Sequence, residues 1–285
     1  ICLFDDSRFA PEDVFEARTA FIRVTRRMTA ILSEVKDGGY VFRTDLRLRP
    51  DASVMPVCLS MDAAERYYES VGRTWERAAY IKARVCAGDQ AAGARFLHTL
   101  RPFVWRKHLD FAAIQDAHDM RLKIRDHKGL GGPVTLAGHD MKLGRGGIRE
   151  IEFFTQTRQL IAGGRDPALR LRGTGEGLHA LAGAGWIGAD VAATLLDHYR
   201  HHREVEHRVQ MFADAQTHHL PQDAAGFDRL AAFMGRDVAE LRHDLTRRLA
   251  DVHDLTEGFF APDAKPKPQI TWGQEFVARW QGYPA

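Results

Sequence analysis

The sequence predicts an α+β protein that is predominantly α-helical, with a partial mixed sheet at the front and a helical bundle behind it. Three observations carry that expectation. Ile1 to Phe4 is a short apolar run ending at Asp5-Asp6, which reads as a buried strand already under way, so the chain looks like a piece of a longer one. From Tyr40 to Arg49 the residues alternate with period two: Tyr40, Phe42, Thr44, Leu46 and Leu48 fall on one side, Val41, Arg43, Asp45, Arg47 and Arg49 on the other. From Asp62 onward apolar residues recur at spacings of three and four, the mark of packed amphipathic helices.

Taken in order, Pro11 opens a helical stretch whose core-facing stripe is Phe15, Phe21 or Ile22, Met28 and Ile31-Leu32, and Asp37-Gly38-Gly39 ends it. After the alternating strand, Pro50-Asp51 turns the chain, and Val54 to Ser60 is expected to be its antiparallel partner, with Pro56 favouring an edge or a bulge. Asp62 and Glu65 have capping-box spacing, and Gly72 punctuates before a second helix near Thr74. Glycine-rich loops stand at 128–138 and 144–147. A helix is expected from Ile148 to Gly163-Gly164. A longer one over 189–213 places Leu195, Tyr199, His202, Val205, Val209 and Phe212 in one stripe, and a last amphipathic helix covers 238–259. Beyond Pro262 the run Asp263-Ala-Lys-Pro-Lys-Pro is linker-like, and Trp272 to Trp280 reads as the first turns of something that continues. The expected organisation is a sheet-bearing domain over 1–105, a helical domain over 106–262 and a linker over 263–285.

Composition narrows the function classes. With 285 residues, 45% hydrophobic and 27% charged, the chain has material for one large domain or two ordinary ones. A mean hydropathy of −0.34 and no apolar run near the ~20 residues a bilayer needs argue against a membrane protein. No secretory leader opens the chain. Forty basic against thirty-eight acidic residues, net +2, is too balanced for a nucleic-acid coat. Cys2, Cys58 and Cys86 are far apart and form no C-x-x-C, which argues for reduced thiols in the cytoplasm and against a structural zinc site.

Two segments invite chemistry. On a strand, alternate residues lie about 6.6 Å apart, so Asp45 would sit between Arg43 and Arg47 with Arg49 one step further. Such a carboxylate stays ionised and can hold a divalent cation while the guanidinium groups bind phosphate; the plainer reading is a solvated outer face. In 140–153, glycines 144, 146 and 147 permit a tight turn before a helix whose first N–H groups attract anions, with Lys142 and Arg145 adding charge. No Walker A loop is present. Arg149, Glu152, Gln156 and Gln159 share one face of that helix, and such a turn is commonly structural. On the helix from Trp75, Arg77 and Arg84 share a face; Arg84 could reach a phosphate, and two solvated arginines are the default reading. Asp5 and Asp6 are adjacent, point to opposite faces, and are not read as a shared metal site. His198, His202 and Glu206 have zinc-compatible spacing, but His202 belongs to the apolar stripe and no H-E-x-x-H exists, so packing is the preferred reading.

Three segments together resemble the family of glutamine synthetase adenylyltransferase/adenylyl-removing enzymes: 44–51 (Thr-Asp-Leu-Arg-Leu-Arg-Pro-Asp), 75–84 (Trp-Glu-Arg-Ala-Ala-Tyr-Ile-Lys-Ala-Arg) and 142–153 (Lys-Leu-Gly-Arg-Gly-Gly-Ile-Arg-Glu-Ile-Glu-Phe). Tyr199 to Gln210 is similar to a later helix of the family, and the match covers about residues 1–260. The resemblance implies two homologous halves, each a nucleotidyltransferase domain followed by a helical one, and the wording at 146–153 looks like the deadenylylating half. The implied reaction is phosphorolysis of adenylyl-tyrosine on glutamine synthetase, releasing ADP and regulating nitrogen assimilation. It also implies a two-metal Mg2+ site whose third aspartate falls at Asp45; the paired aspartates would lie just before Ile1, leaving this fragment inactive alone. Arg47, Arg49, Arg84, Lys142 and Arg145 become candidates for nucleotide or phosphate contact, with Glu152 positioning one of them. Implied partners are glutamine synthetase, a PII signal protein, ADP or ATP and inorganic phosphate, with no nucleic acid and no membrane. The alternatives are the ATP-dependent adenylylating half and a non-catalytic docking module for glutamine synthetase or PII. Departures from the family pattern are Ala52 and Met55, where glycine is usual, and His201-His202 at a position usually apolar.

Overall fold

The computed structural model describes residues 1–36, 38–107, 134–212 and 214–260. The expected linker at 263–285, the glycine-rich residues 128–133 and residues 108–127 of the expected helical domain lie outside them. The described part is predominantly α-helical with a small sheet. The chain divides into two compact units, Ile1–Ala117 with Gln156–Leu181, and His118–Thr155 with Ala182–Ala285.

In the first unit, β1 (Cys2–Phe4) and β2 (Cys58–Ser60) pair in parallel, with Cys2 opposite Cys58, Leu3 opposite Leu59 and Phe4 opposite Ser60. Helix α1 (Val14–Ser33) covers this pair. Phe4 stacks on Phe21 with centroids 5.1 Å apart, and Phe4, Ala17 and Cys58 form the buried seam. The predicted α1 stripe is only partly right. Phe21 and Ile22 pack on the sheet, whereas Phe15, Met28 and Ile31 are exposed. Two strands make a narrow platform, so a helix of 20 residues touches it along one band only.

The alternating segment departs from expectation: residues 40–49 form no strand, and β2 pairs with β1 in parallel rather than with 40–49 in antiparallel. Its backbone is tied instead to the end of α1. Val41 and Phe42 donate N–H to the Leu32 carbonyl at 3.1 and 2.8 Å, and Thr44 N–H donates to Ser33 Oγ at 3.2 Å. Further on, Arg49 folds the chain back on itself by donating to the carbonyls of Leu46 (2.8 Å), Ala52 (2.8 Å) and Met55 (3.2 Å). A guanidinium fork that collects three carbonyls replaces a ladder.

Helix α2 (Met61–Ser70) starts two residues earlier than the Asp62 capping box suggested, because Ser60 Oγ accepts from Ala63 N–H at 3.2 Å. Helix α3 (Thr74–Ile81) follows a turn at Gly72, where a Cβ would stand 2.5 Å from the Phe103 ring and 2.8 Å from the Tyr68 carbonyl. With α4 (Gln90–Thr99) and α5 (Arg101–Val104), these helices enclose Ala64, Tyr68, Ile81, Phe96, Leu100 and Phe103. Each fully buried large apolar side chain there is worth about 1.5–3 kcal/mol. Arg77, read as solvated from its spacing, is buried and donates to the Val104 carbonyl at 3.2–3.3 Å.

Helix α6 (Ile148–Ala162) is divided between the units, and α7 (Thr174–Gly183) follows it. The second unit contains α8 (Ala189–Met211), α9 (Ala224–Phe233) and α10 (Val238–Phe260) around Val205, Val209, Phe227, Leu230, Leu245 and Leu249. On α8 the predicted stripe holds for Leu195, His202, Val205 and Val209, while Phe212 is exposed. Arg248 of α10 bonds His198 Nδ1 at 2.8 Å and Asp244 Oδ2 at 3.0 Å. No described helix is long and apolar enough to cross a membrane.

Candidate functional site

A cavity of about 690 Å³ opens within the first unit. Its walls combine the apolar residues of β1 with Asp5, Asp45, Glu76 and Arg84. Local structure explains each placement. Asp5 follows β1 directly and caps the turn after it, accepting from Ser7 N–H (3.2 Å), Ser7 Oγ (2.5 Å) and Arg95 Nη2 (2.9 Å). The Ser7 hydroxyl, with the neighbouring arginines, holds its carboxyl below the usual range. Asp6 opens a short 3-10 turn (Asp6–Arg8) and accepts from Asp62 N–H at 3.3 Å, so the two aspartates are separated by the turn that Asp5 caps and not by strand alternation.

Asp45 is 53% exposed and closed by its own neighbour. Arg47 donates its backbone N–H (2.8 Å) and Nε (3.0 Å) to Oδ1, and Nε (3.0 Å) and Nη2 (2.7 Å) to Oδ2. Those hydrogen bonds hold the Asp45 carboxyl below its ordinary value. Arg43 lies 5.0 Å from the Tyr40 ring centroid, and Arg49 is spent on backbone carbonyls. Arg84 lies exposed on the cavity wall just past the end of α3. Lys82 also lines it, with Nζ fixed to the Arg172 carbonyl (3.1 Å) and Thr174 Oγ1 (2.9 Å).

Glu76 was not singled out by the sequence reading. It is 1% exposed, accepts from Arg73 N–H at 2.8 Å and Tyr67 OH at 3.3 Å, and its other oxygen has no hydrogen-bond partner among the described residues. Burial pushes its carboxyl up. Its position at the third residue of a helix signals a cap, which gives no hint of a cavity.

The glycine turn at 144–147, in the second unit, is occupied by its own backbone. Asp140 Oδ1 accepts from Lys142 and Leu143 N–H, both at 2.9 Å. Gly144, Gly147, Ile148, Arg149 and Glu150 all donate N–H to local carbonyls at 2.8–3.1 Å. These amides are therefore engaged rather than open to an anion. Gly146 has φ +73°, and a Cβ there would stand 1.9 Å from the Leu249 carbonyl oxygen, so the turn lies directly on α10. Its own carbonyl meets His202 Nε2 at 3.1 Å. Arg145 Nη2 lies 2.7 Å from His253 Nε2, Lys142 is half-buried, and Glu152 pairs with Arg149 at 3.2 Å. Gln159 is buried and donates to the carbonyls of Leu169 and Leu171, both at 2.8 Å. The structure thus gathers Asp45 and Arg84 at one cavity, with Arg47 on Asp45, and places Lys142, Arg145 and Glu152 in the other unit. Among the described residues no group of three His, Cys, Asp or Glu side chains is arranged to hold a metal ion.

Two family models match. Residues 3–99 match the glutamate-ammonia ligase adenylyltransferase model, and residues 118–260 match that of PII-uridylyltransferase. Curated relatives named bifunctional glutamine synthetase adenylyltransferase/adenylyl-removing enzyme are similar over most of the chain. The protein from Mesorhizobium japonicum is 53% identical over 235 residues, 82% of this chain and 24% of its own. That from Bradyrhizobium diazoefficiens is 51% identical over 260 residues (91% and 26%), and that from Rhizobium meliloti 51% over 251 (88% and 25%). The chain spans about a quarter of the length of these relatives.

Proposed function

The chain belongs to the glutamine synthetase adenylyltransferase/adenylyl-removing family, and from that premise we propose that it supplies part of the nucleotidyl-transfer module that removes AMP from glutamine synthetase. In that reaction an oxygen of inorganic phosphate attacks the phosphorus of adenylyl-tyrosine. The bond to the tyrosyl oxygen breaks, ADP leaves, and the tyrosyl oxygen takes up a proton. The observation that carries the reading is the cavity lined by residues between Ile1 and Leu97, almost all of them inside the stretch 3–99, of a size suited to a nucleotide, with the Asp45 carboxylate and the exposed Arg84 guanidinium on its wall. Arg84 would bind a phosphate oxygen as a charge-assisted donor. Lys142 and Arg145 remain candidates for phosphate or nucleotide contact, with Glu152 positioning one of them. Arg49, whose fork is committed to carbonyls, shapes the turn that carries Asp45. The match of 118–260 to the PII-uridylyltransferase model supports a PII protein as a second partner, beside glutamine synthetase.

The described residues do not make a complete magnesium site. Both Asp45 oxygens are engaged by Arg47, and no metal-holding cluster occurs among the described residues. A second reading is a non-catalytic docking module for glutamine synthetase or PII, which would make no use of a nucleotide. Titration with ADP separates the two. A catalytic module binds ADP, and Arg84→Ala weakens binding about tenfold, a loss of ~1.4 kcal/mol; a docking module binds the partner protein and no nucleotide. In a polypeptide of the relatives' full length, phosphate-dependent release of AMP assigns the deadenylylating half, and ATP-driven addition of AMP assigns the other.

A further inference from the structure

We propose that Cys2 and Cys58 form a redox-active dithiol that closes to an intramolecular disulfide. The parallel ladder sets the two directly opposite each other. Residues opposed in this way send their side chains to the same side of a sheet, with neighbouring strands about 4.8 Å apart. That spacing falls inside the roughly 4.4–6.8 Å Cα separation that a disulfide accepts. Both side chains also belong to one cluster beneath α1, Cys58 with Phe4 and Ala17, and Cys2 packed against them. Both thiols are free. The inference stands independently of the nucleotidyl-transfer reading.

The two thiols differ in access, and that difference orders the chemistry. Cys58 is 2% exposed, and its burial raises the thiol above its ordinary value, whereas Cys2 is half-buried and reachable. Cys2 thiolate attacks one sulfur of a low-molecular-weight disulfide such as oxidised glutathione. A mixed disulfide forms at Cys2 and the first glutathione leaves as a thiolate that takes up a proton. The Cys58 sulfur then attacks the Cys2 sulfur, the Cys2–Cys58 bond forms, and the second glutathione leaves with the Cys58 proton. Two protein thiols are oxidised, and one glutathione disulfide is reduced to two thiols. In a reducing compartment such a bond is transient, which suits a sensor better than a structural staple. Its consequence is local: β1 and β2 are three residues each, and β1 places Leu3 and Phe4 on the cavity wall. A covalent tie would fix that wall.

Cys86 is exposed and would pair between molecules, so the test uses the whole chain carrying Cys86→Ser. Dilute protein is incubated with oxidised glutathione at mildly alkaline pH and read by intact mass and non-reducing peptide mapping. The expected product is a monomer lighter by two hydrogens, containing a peptide that joins Cys2 to Cys58, and restored by dithiothreitol. Adding Cys2→Ser should leave the Cys58 thiol unmodified. A stable glutathione adduct at Cys2, a dimer through Cys2, unreacted thiols, or glutathione on Cys58 in the Cys2→Ser protein would each overturn the proposal.

Discussion

The segment 40–55 and the turn 140–150 look alike as sequences: both are short, rich in arginine, and hold an aspartate beside residues that bend the chain. Their polar groups meet different fates. In 40–55 side chains satisfy the backbone and each other, with Arg49 on three carbonyls and Arg47 on Asp45, largely in contact with solvent. In 140–150 the backbone satisfies itself, and the turn is buried against α10. The first arrangement can open and exchange partners, because a solvated ion pair holds weakly. The second cannot open without exposing a packed interior. A motif that advertises anion binding does so only when its donors are left over.

The sharpest way to break this contrast is at Gly146. Gly146→Ala combines a left-handed backbone with a Cβ driven into the Leu249 carbonyl, and should cost about 3–5 kcal/mol, read as a lower denaturation midpoint of the second unit. A variant as stable as the wild type would show that the turn does not bear on α10.

A medium effect is expected from His202. Burial holds this imidazole at about 3, well below its ordinary 6.5, so it stays neutral when folded. The unfolded chain binds the extra proton between those values. The stability this group contributes is therefore fully present above pH 6.5 and falls as pH drops towards 3, by up to about 1.4 kcal/mol per pH unit. His202→Gln, which keeps a donor for the Gly146 carbonyl, should flatten the acid limb of the stability curve; an unchanged slope would remove His202 from it.

The smallest expected change sharpens the other side. Arg47→Ala should leave the unfolding midpoint where it is, since the pair is exposed, while the Asp45 carboxyl titrates higher, back towards its ordinary value. Proton titration of Asp45 by NMR measures it directly. A carboxyl that does not move would mean that another group holds it.

Much of this was legible from the chain. The helices from Asp62 onward follow the three-and-four spacing, His202 takes its place in the α8 stripe, and the three motif segments lead to the family that the relatives share. What misled was local pattern without partners. Residues 40–49 alternate like a strand, yet alternation records which side of a strand would be buried and says nothing about whether a neighbouring strand is there to pair with. Glu76 hid behind an ordinary capping position, and Arg77 behind an ordinary helical surface spacing.

The sequence alone determined the helical periods, the turn-forming glycines and the family, because these depend on residues a few positions apart. Tertiary structure alone decided that Arg49 gathers carbonyls, that the glycine turn rests on α10, and that Cys2 stands opposite Cys58. Those outcomes depend on which distant groups compete for each donor and each volume, and that competition is settled only when the chain is packed.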